Sequence, residues 1–225
     1  MNCEKLSAKI SASMMCANPF YLAQSIKALE AGKVEYLHQD VMDGKFVPNL
    51  GMSIDHMRFM RKSTAIPFDF HVMTLEPDDI IPLLEPRPGD IVSIHYESTF
   101  QVQRTLENAR RYGCKVFVAI NPSTSLSVLD ELVYYVDGIN LLMVNPGFAG
   151  QKAVDSCFHK ARRLRDFLAR HERADIAWEV DGNISVSNAR LLRKLGANIF
   201  VCGTSSIFIG GVVDENAIGE MRNVI

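Results

Sequence analysis

The sequence predicts a single (β/α)8 barrel spanning residues 1–225. Three observations point to it. Eight short strand-like runs alternate with helix-like runs along the chain. Those runs are often apolar on both faces, as parallel strands buried beneath helices are. Residues with ligand chemistry also recur at the ends of the second, third and seventh strands. A closed barrel gathers such ends at one mouth, whereas a doubly wound open sheet would struggle to do so.

Lys9 to Met15 reads as the first strand, with Ser11 and Ser13 on one face and Ala12 and Met14 on the other. Pro19 suits a first helical turn capped by Asn18. Leu22, Ile26, Leu29 and Ala31 follow at helical spacing up to Gly32. The second strand opens the stretch VEYLHQDVMDGKFVPN, from Val34 to Asn49. His38, Asp40 and Met42 alternate there and share a face. Asp43-Gly44 then reads as a turn.

A helix is expected around Ser53 to Arg61, with Met57 and Met60 as packing residues. Ile66 to Met73 is the third strand and ends His71-Val72-Met73. Glu76-Pro77-Asp78 opens a helix that stops in Pro86-Arg87-Pro88-Gly89. Asp90 to His95 is the fourth strand; His95 either lines a site or is a satisfied histidine near the rim. Phe100 to Tyr112 reads as a helix and Lys115 to Ile120 as the fifth strand. Ser125 leads a helix containing Leu129, Leu132 and Val136, and Gly138 to Val144 is the sixth strand. Val154 to His171 is a long helix whose arginines read as a solvated face. Ile176 to Val180 is the seventh strand and runs into Asp181-Gly182. Ser185 opens a helix ending at Leu195-Gly196, Ile199 to Cys202 is the eighth strand, and a last helix covers Glu215 to Arg222.

Composition narrows the function. The chain is 48% hydrophobic with a net charge of -2 and no long Lys/Arg cluster, so neither a nucleic-acid nor a membrane partner is expected. The five cysteines show no C-x-x-C spacing, which suits free thiols in a reducing compartment. Without a charged-then-apolar leader or a membrane-length apolar run, the default location is cytoplasmic.

Alone, His38 and Asp40 would pass for a satisfied pair on an ordinary strand. With His71 and Asp181 they make a two-His, two-Asp set suited to Zn, Fe(II), Mn or Co(II). The Gly-rich loop Asn145 to Gln151 and the turns Gly182-Asn183 and Gly203-Thr204 follow the last three strands. They are either tight connections or, as barrels often arrange there, a phosphate site. Asp40 and Asp181 come from strands that face each other across the mouth. Two opposed carboxylates suit inversion at a carbon next to a carbonyl; a single base would suit an aldose–ketose isomerase.

The segments LHQDVMDGKFVPN, FDFHVM, VNPGFAGQ, EVDGN and VCGTS together resemble the ribulose-phosphate 3-epimerase family over nearly the full chain. The resemblance implies a TIM barrel of the ribulose-phosphate-binding type. It implies C3 epimerisation of a D-ketose phosphate through an enediolate, with one divalent metal per subunit and no organic cofactor. It makes His38, Asp40, His71 and Asp181 the metal ligands and Asp40 and Asp181 the acid–base pair. Ser13 would contact a substrate hydroxyl, and Met42 and Met73 would line the reacting face. Gly147, Phe148, Ala149, Gly150, Gly182, Asn183, Gly203 and Thr204 would hold the phosphate end. A homo-oligomer, as dimers or multiples of dimers, is implied too.

Some positions depart from the family pattern. Met15-Cys16-Ala17-Asn18 replaces leucine-serine-alanine-aspartate, Asn183 replaces a second glycine, and Leu142 and Met143 alter the usual methionine wall. Met15-Cys16, Leu50 with Ser53, Ala149 and Gly203-Thr204-Ser205 resemble the allulose-6-phosphate 3-epimerase branch. That places D-allulose 6-phosphate ahead of D-ribulose 5-phosphate as the expected substrate. A non-catalytic phosphate-binding paralogue is the alternative of a different class.

Overall fold

The alternating strand segments close on themselves. In the computed structural model, which describes residues 6–225, eight parallel strands hydrogen-bond in chain order and the eighth returns to the first. They are β1 (Lys9–Ser13), β2 (Tyr36–Met42), β3 (Phe68–Met73), β4 (Ile91–His95), β5 (Lys115–Ile120), β6 (Gly138–Leu142), β7 (Ala177–Asp181) and β8 (Ile199–Cys202). Around them run α1 (Leu22–Ala31), α2 (Ile54–Ser63), α3 (Ile81–Leu84), α4 (Val102–Arg110), α5 (Asp155–Arg170), α6 (Val186–Leu195) and α7 (Glu215–Val224). Ser53 starts α2 and Ser185 starts α6, each hydroxyl accepting an N–H of the first turn from His56 and Asn188.

Strand alternation sorts the side chains. Outward-facing Leu37, Phe70, Val92, Val118, Leu141, Val180 and Phe200 join the large apolar layer beneath the helices. Inward-facing Tyr36, Ile91, Phe117 and Ile199 form a small separate cluster at the strands' N-terminal ends. That cluster floors the barrel. Towards the other end the inward positions become polar: Ser11 and Ser13, His38 and Asp40, Asp69 and His71, Ser93 and His95, Glu179 and Asp181. Register aligns them, with His38 opposite Asp69 and Asp40 opposite His71.

Several boundaries differ from expectation. β1 stops at Ser13, and Met14–Cys16 turns as a 3₁₀ segment over the mouth. The expected helix around Leu129, Leu132 and Val136 is instead two 3₁₀ turns, Leu126–Leu129 and Leu132–Tyr134. Leu126, Leu129 and Leu132 recur every three residues, the 3₁₀ period. α3 is a single turn between Pro77 and Pro86, because the prolines leave no room for a longer one. α4 starts at Val102, leaving Phe100 fully exposed. β6 ends at Leu142, and the Met143 N–H turns to donate to the Asp181 carbonyl at 2.7 Å. A hairpin of β9 (Phe208–Ile209) and β10 (Val212–Val213) was not anticipated, although Gly210-Gly211 carries its signature: both have positive φ, as a two-residue turn requires.

Cys16, Cys114, Cys157 and Cys202 are buried free thiols, and Cys3 lies outside the described residues. Among the described residues no helix is long and apolar enough to cross a membrane.

Candidate active site

His38, Asp40, His71 and Asp181 meet just inside the barrel mouth. One ligand atom from each lies within 4.8 Å of the others. His38 Nε2 is 3.6 Å from Asp40 Oδ1 and 3.6 Å from Asp181 Oδ2. His71 Nδ1 is 3.6 Å from Asp40 Oδ1 and 3.2 Å from Asp181 Oδ2. Both nitrogens are buried without a hydrogen-bond partner among the described residues. Ligands about 2.1 Å from a tetrahedral ion lie about 3.4 Å apart, so the donor spacing fits a divalent metal.

The strands around this cluster fix its tautomers. The His38 Nδ1–H donates to Asp69 Oδ2 at 2.7 Å, so Nε2 is the nitrogen turned towards Asp40 and Asp181. Ser11 Oγ donates to the same Asp69 oxygen at 2.6 Å. On the far side, His71 Nε2 is 2.7 Å from His95 Nε2, and His95 Nδ1 is 3.3 Å from Glu97 Oε2. Glu97 only accepts, so His95 carries its proton on Nδ1. His71 Nε2–H then donates to His95 and leaves His71 Nδ1 bare. Glu97 is held in turn by the Asn121 N–H at 3.0 Å and the Thr124 hydroxyl. Lys160, buried beneath this loop, donates to the Asn121 and Pro122 carbonyls at 2.7 Å each.

The cluster attracts positive charge. Burial alone would lower His38, but Asp69 and Asp40 raise it well above the ordinary histidine value. His71 is raised too: burial opposes, and Asp181 and Asp40 prevail. Burial would push Asp40 up, yet His38 and His71 hold it below the usual carboxylate range. His95 goes the other way, to about 4, chiefly through burial. Glu97 resists burial through the His95, Thr124 and Asn121 hydrogen bonds and falls to about 2. Glu179 is fully buried, both its oxygens lack a partner among the described residues, and burial with Asp69 raises it well above the ordinary value.

Above the cluster opens a pocket that gathers the other candidate residues. Ser13, Met42 and Met73 line it on the β1–β3 side. Ser13 Oγ donates to Asp40 Oδ2 at 3.3 Å, and the Cys16 thiol to Ser13 Oγ at 3.6 Å. Gly147, Phe148, Ala149 and Gly150 face them across the opening, beside Gly182, Asn183, Gly203 and Thr204. His38 sits beneath and does not line the pocket. Gly182 has φ +101°, and a Cβ there would meet Val144 Cγ2 at 2.5 Å, so conformation and space both demand glycine. Asn183 follows at φ +52°, a left-handed conformation that asparagine tolerates. Leu142 lines the same pocket, whereas Met143 packs in the apolar layer.

Sequence reading passed over Asp69 and Glu179, although each stands two residues before a ligand, on the same strand face. It assigned nothing to Glu97 either.

The model of the ribulose-phosphate 3 epimerase family matches residues 9–208. A ribulose-phosphate 3-epimerase of Bacillus subtilis is 34% identical over 214 residues, covering 95% of this chain and 98% of its own. One from Buchnera aphidicola subsp. Baizongia pistaciae is 37% identical over 219 residues, covering 96% and 95%. The chloroplastic ribulose-5-phosphate-3-epimerase of Arabidopsis thaliana is 36% identical, covering 87% and 70%. Among solved structures, phosphoribosyl anthranilate isomerase from Thermus thermophilus superposes with a TM-score of 0.66 over 96% of both chains. At 12% identity it shares the fold alone. The family match runs from the first barrel strand into the hairpin beyond the eighth, and the chain belongs to the ribulose-phosphate 3-epimerase family, an enzyme of carbohydrate-phosphate epimerisation.

Proposed function

We propose that the chain reversibly inverts C3 of D-ribulose 5-phosphate to give D-xylulose 5-phosphate. The observation that carries this reading is the placement of Asp40 on β2 and Asp181 on β7, which flank two bare imidazole nitrogens at the floor of one pocket. The relatives named for ribulose phosphate favour the pentulose over the hexulose that Met15-Cys16 suggested.

A divalent ion held by His38, Asp40, His71 and Asp181 would supply Lewis-acid polarisation of the substrate oxygens. Asp40 and Asp181 then divide the proton work. One removes the C3 proton from one face and the other returns a proton to the opposite face. Ser13 steers Asp40 through its hydrogen bond and is placed to meet a substrate hydroxyl. Met42, Met73 and Leu142 give the reacting face an apolar wall that excludes water. The backbone N–H groups of Gly147 to Gly150, Gly182, Asn183, Gly203 and Thr204 receive the phosphate. Residues 1–225 would act as one catalytic domain, assembled as a homo-oligomer that light scattering would register.

The pair D-allulose 6-phosphate and D-fructose 6-phosphate is the second reading. Met15 and Cys16 line the pocket, and a Cβ at Gly203 would sit 2.9 Å from Cys16 Sγ, so residues that resemble that branch border the proposed substrate site. Comparing kcat/KM for both pairs on one metal-loaded sample decides between them. In deuterium oxide the C3 hydrogen should exchange as the epimers interconvert. Isotope at C1 without inversion at C3 would overturn epimerisation in favour of an isomerase.

A further inference from the structure

The loops after β6, β7 and β8 are far apart in sequence, and one side chain ties them together. Asn183 Oδ1 accepts the Ala153 N–H at 3.2 Å, at the end of the loop after β6. Asn183 Nδ2 donates to Ser205 Oγ at 2.9 Å, in the loop after β8. Asn188, in the first turn of α6, donates its Nδ2 to the Asn183 carbonyl at 2.8 Å and to Oδ1 at 3.3 Å. The amide orientation is consistent throughout: the oxygen faces two N–H donors and the nitrogen faces a hydroxyl. Glycine would adopt φ +52° at no cost, so the backbone gives no reason for asparagine here. The reason lies in the bonds its side chain makes within the protein.

We propose that Asn183 is a positioning residue. Its side chain clasps the three glycine-bearing loops in the arrangement that receives the substrate phosphate. The inference rests on the reading of those loops as the phosphate site. Loops already fixed lose less freedom when an anion arrives, so the clasp favours binding. The phosphate does not change during the reaction, so the gain is the same in ground and transition states and shows in KM rather than kcat.

Asn183→Gly keeps the backbone conformation accessible and removes the side-chain bonds to Ala153 and Ser205; Ser205→Ala removes only the second. On the metal-loaded enzyme, Asn183→Gly should raise KM about fivefold, roughly the worth of one net hydrogen bond, with kcat within about twofold. Inorganic phosphate, as a competitive inhibitor, should weaken by the same factor. Ser205→Ala should move both in the same direction by less, and the double variant should be no worse than Asn183→Gly, because the two residues share one interaction. Unchanged KM and phosphate affinity in Asn183→Gly would overturn the inference, as would a loss of kcat at constant KM or strict additivity. If Asn183→Gly does not fold, unchanged KM and phosphate affinity in Ser205→Ala would overturn it. A wild type inactive on every ketose phosphate would defeat the epimerase reading. A phosphate affinity that still fell in Asn183→Gly, measured by titration calorimetry, would leave the clasp standing.

Discussion

The two ends of the pocket are built from different materials. The end proposed to hold the metal is made of side chains on strands: His38, Asp40, His71 and Asp181 project inward from β2, β3 and β7, and the first three are buried. The end proposed to take the phosphate is made of backbone on loops, with Gly147, Gly150 and Gly182 at positive φ and Phe148 exposed. Charge at the first end is supplied by ionisable groups whose tautomers are fixed from behind. Binding at the second would depend on amide dipoles that the chain must be bent to present. The difference teaches that perturbing the first end should cost turnover and metal, whereas perturbing the second should cost affinity.

The sharpest test of that division is to neutralise the carboxylates. Asp40→Asn and Asp181→Asn should each reduce kcat by about 10²–10⁴-fold, the usual worth of a general acid or base. Metal content must be measured on each variant, since a lost ligand would imitate a lost base. Full activity in either variant would break the comparison at its strong end.

Next comes the support behind His71. Glu97→Gln removes the carboxylate that holds His95 and should weaken metal affinity by about 10–100-fold. Competition with a chromophoric chelator would read this directly. An unchanged affinity would show that the Glu97–His95–His71 chain does not reach the ligand.

At the phosphate end, Gly182→Ala should raise KM with a smaller change in kcat, because the new Cβ meets Val144 at 2.5 Å and distorts the turn. Gly150→Ala is the control: its Cβ meets nothing within 4 Å, so only the φ of +79° is strained. Equal effects from both would mean that conformation, not space, governs these loops.

The smallest effect is on the pH dependence of stability. In the metal-free protein, His38 and His71 have raised pKa values, so their contribution is full below the unfolded histidine value. It is lost as pH rises through the raised folded values. Asp40 works in the opposite sense: its depressed value contributes above the unfolded carboxylate value and is lost as pH falls towards the folded one. The chelated protein should therefore lose Tm above neutral pH relative to its metal-loaded form. Parallel Tm curves for the two forms would contradict the raised histidines.

Much of this contrast was legible in the residues. The barrel strands are dense in valine, isoleucine and phenylalanine, and burial on both faces leaves few alternatives. The ligand pairs stand out because His38 and Asp40 repeat at the strand period. Asp69 and Glu179 obey the same period, but nothing local says that Asp69 meets a histidine on the neighbouring strand. Glu97 reaches His95 only because Tyr96–Ser98 is a 3₁₀ turn. The connection after β5 misled because its leucines fit a loose helical pattern as well as a three-residue one. The bonds from Asn183 to Ala153 and Ser205 join residues 30 and 22 apart, a separation that no local pattern encodes.

The floor formed by Tyr36, Ile91, Phe117 and Ile199 has a kinetic consequence. All four are nearly inaccessible to solvent, so the barrel is closed beneath the pocket, whose doorway is the mouth. Whatever enters must leave by the same route, and substrate and product cannot pass each other. Product inhibition should therefore be strictly competitive in both directions. The solvent proton that replaces the one lifted from C3 must likewise enter through that doorway.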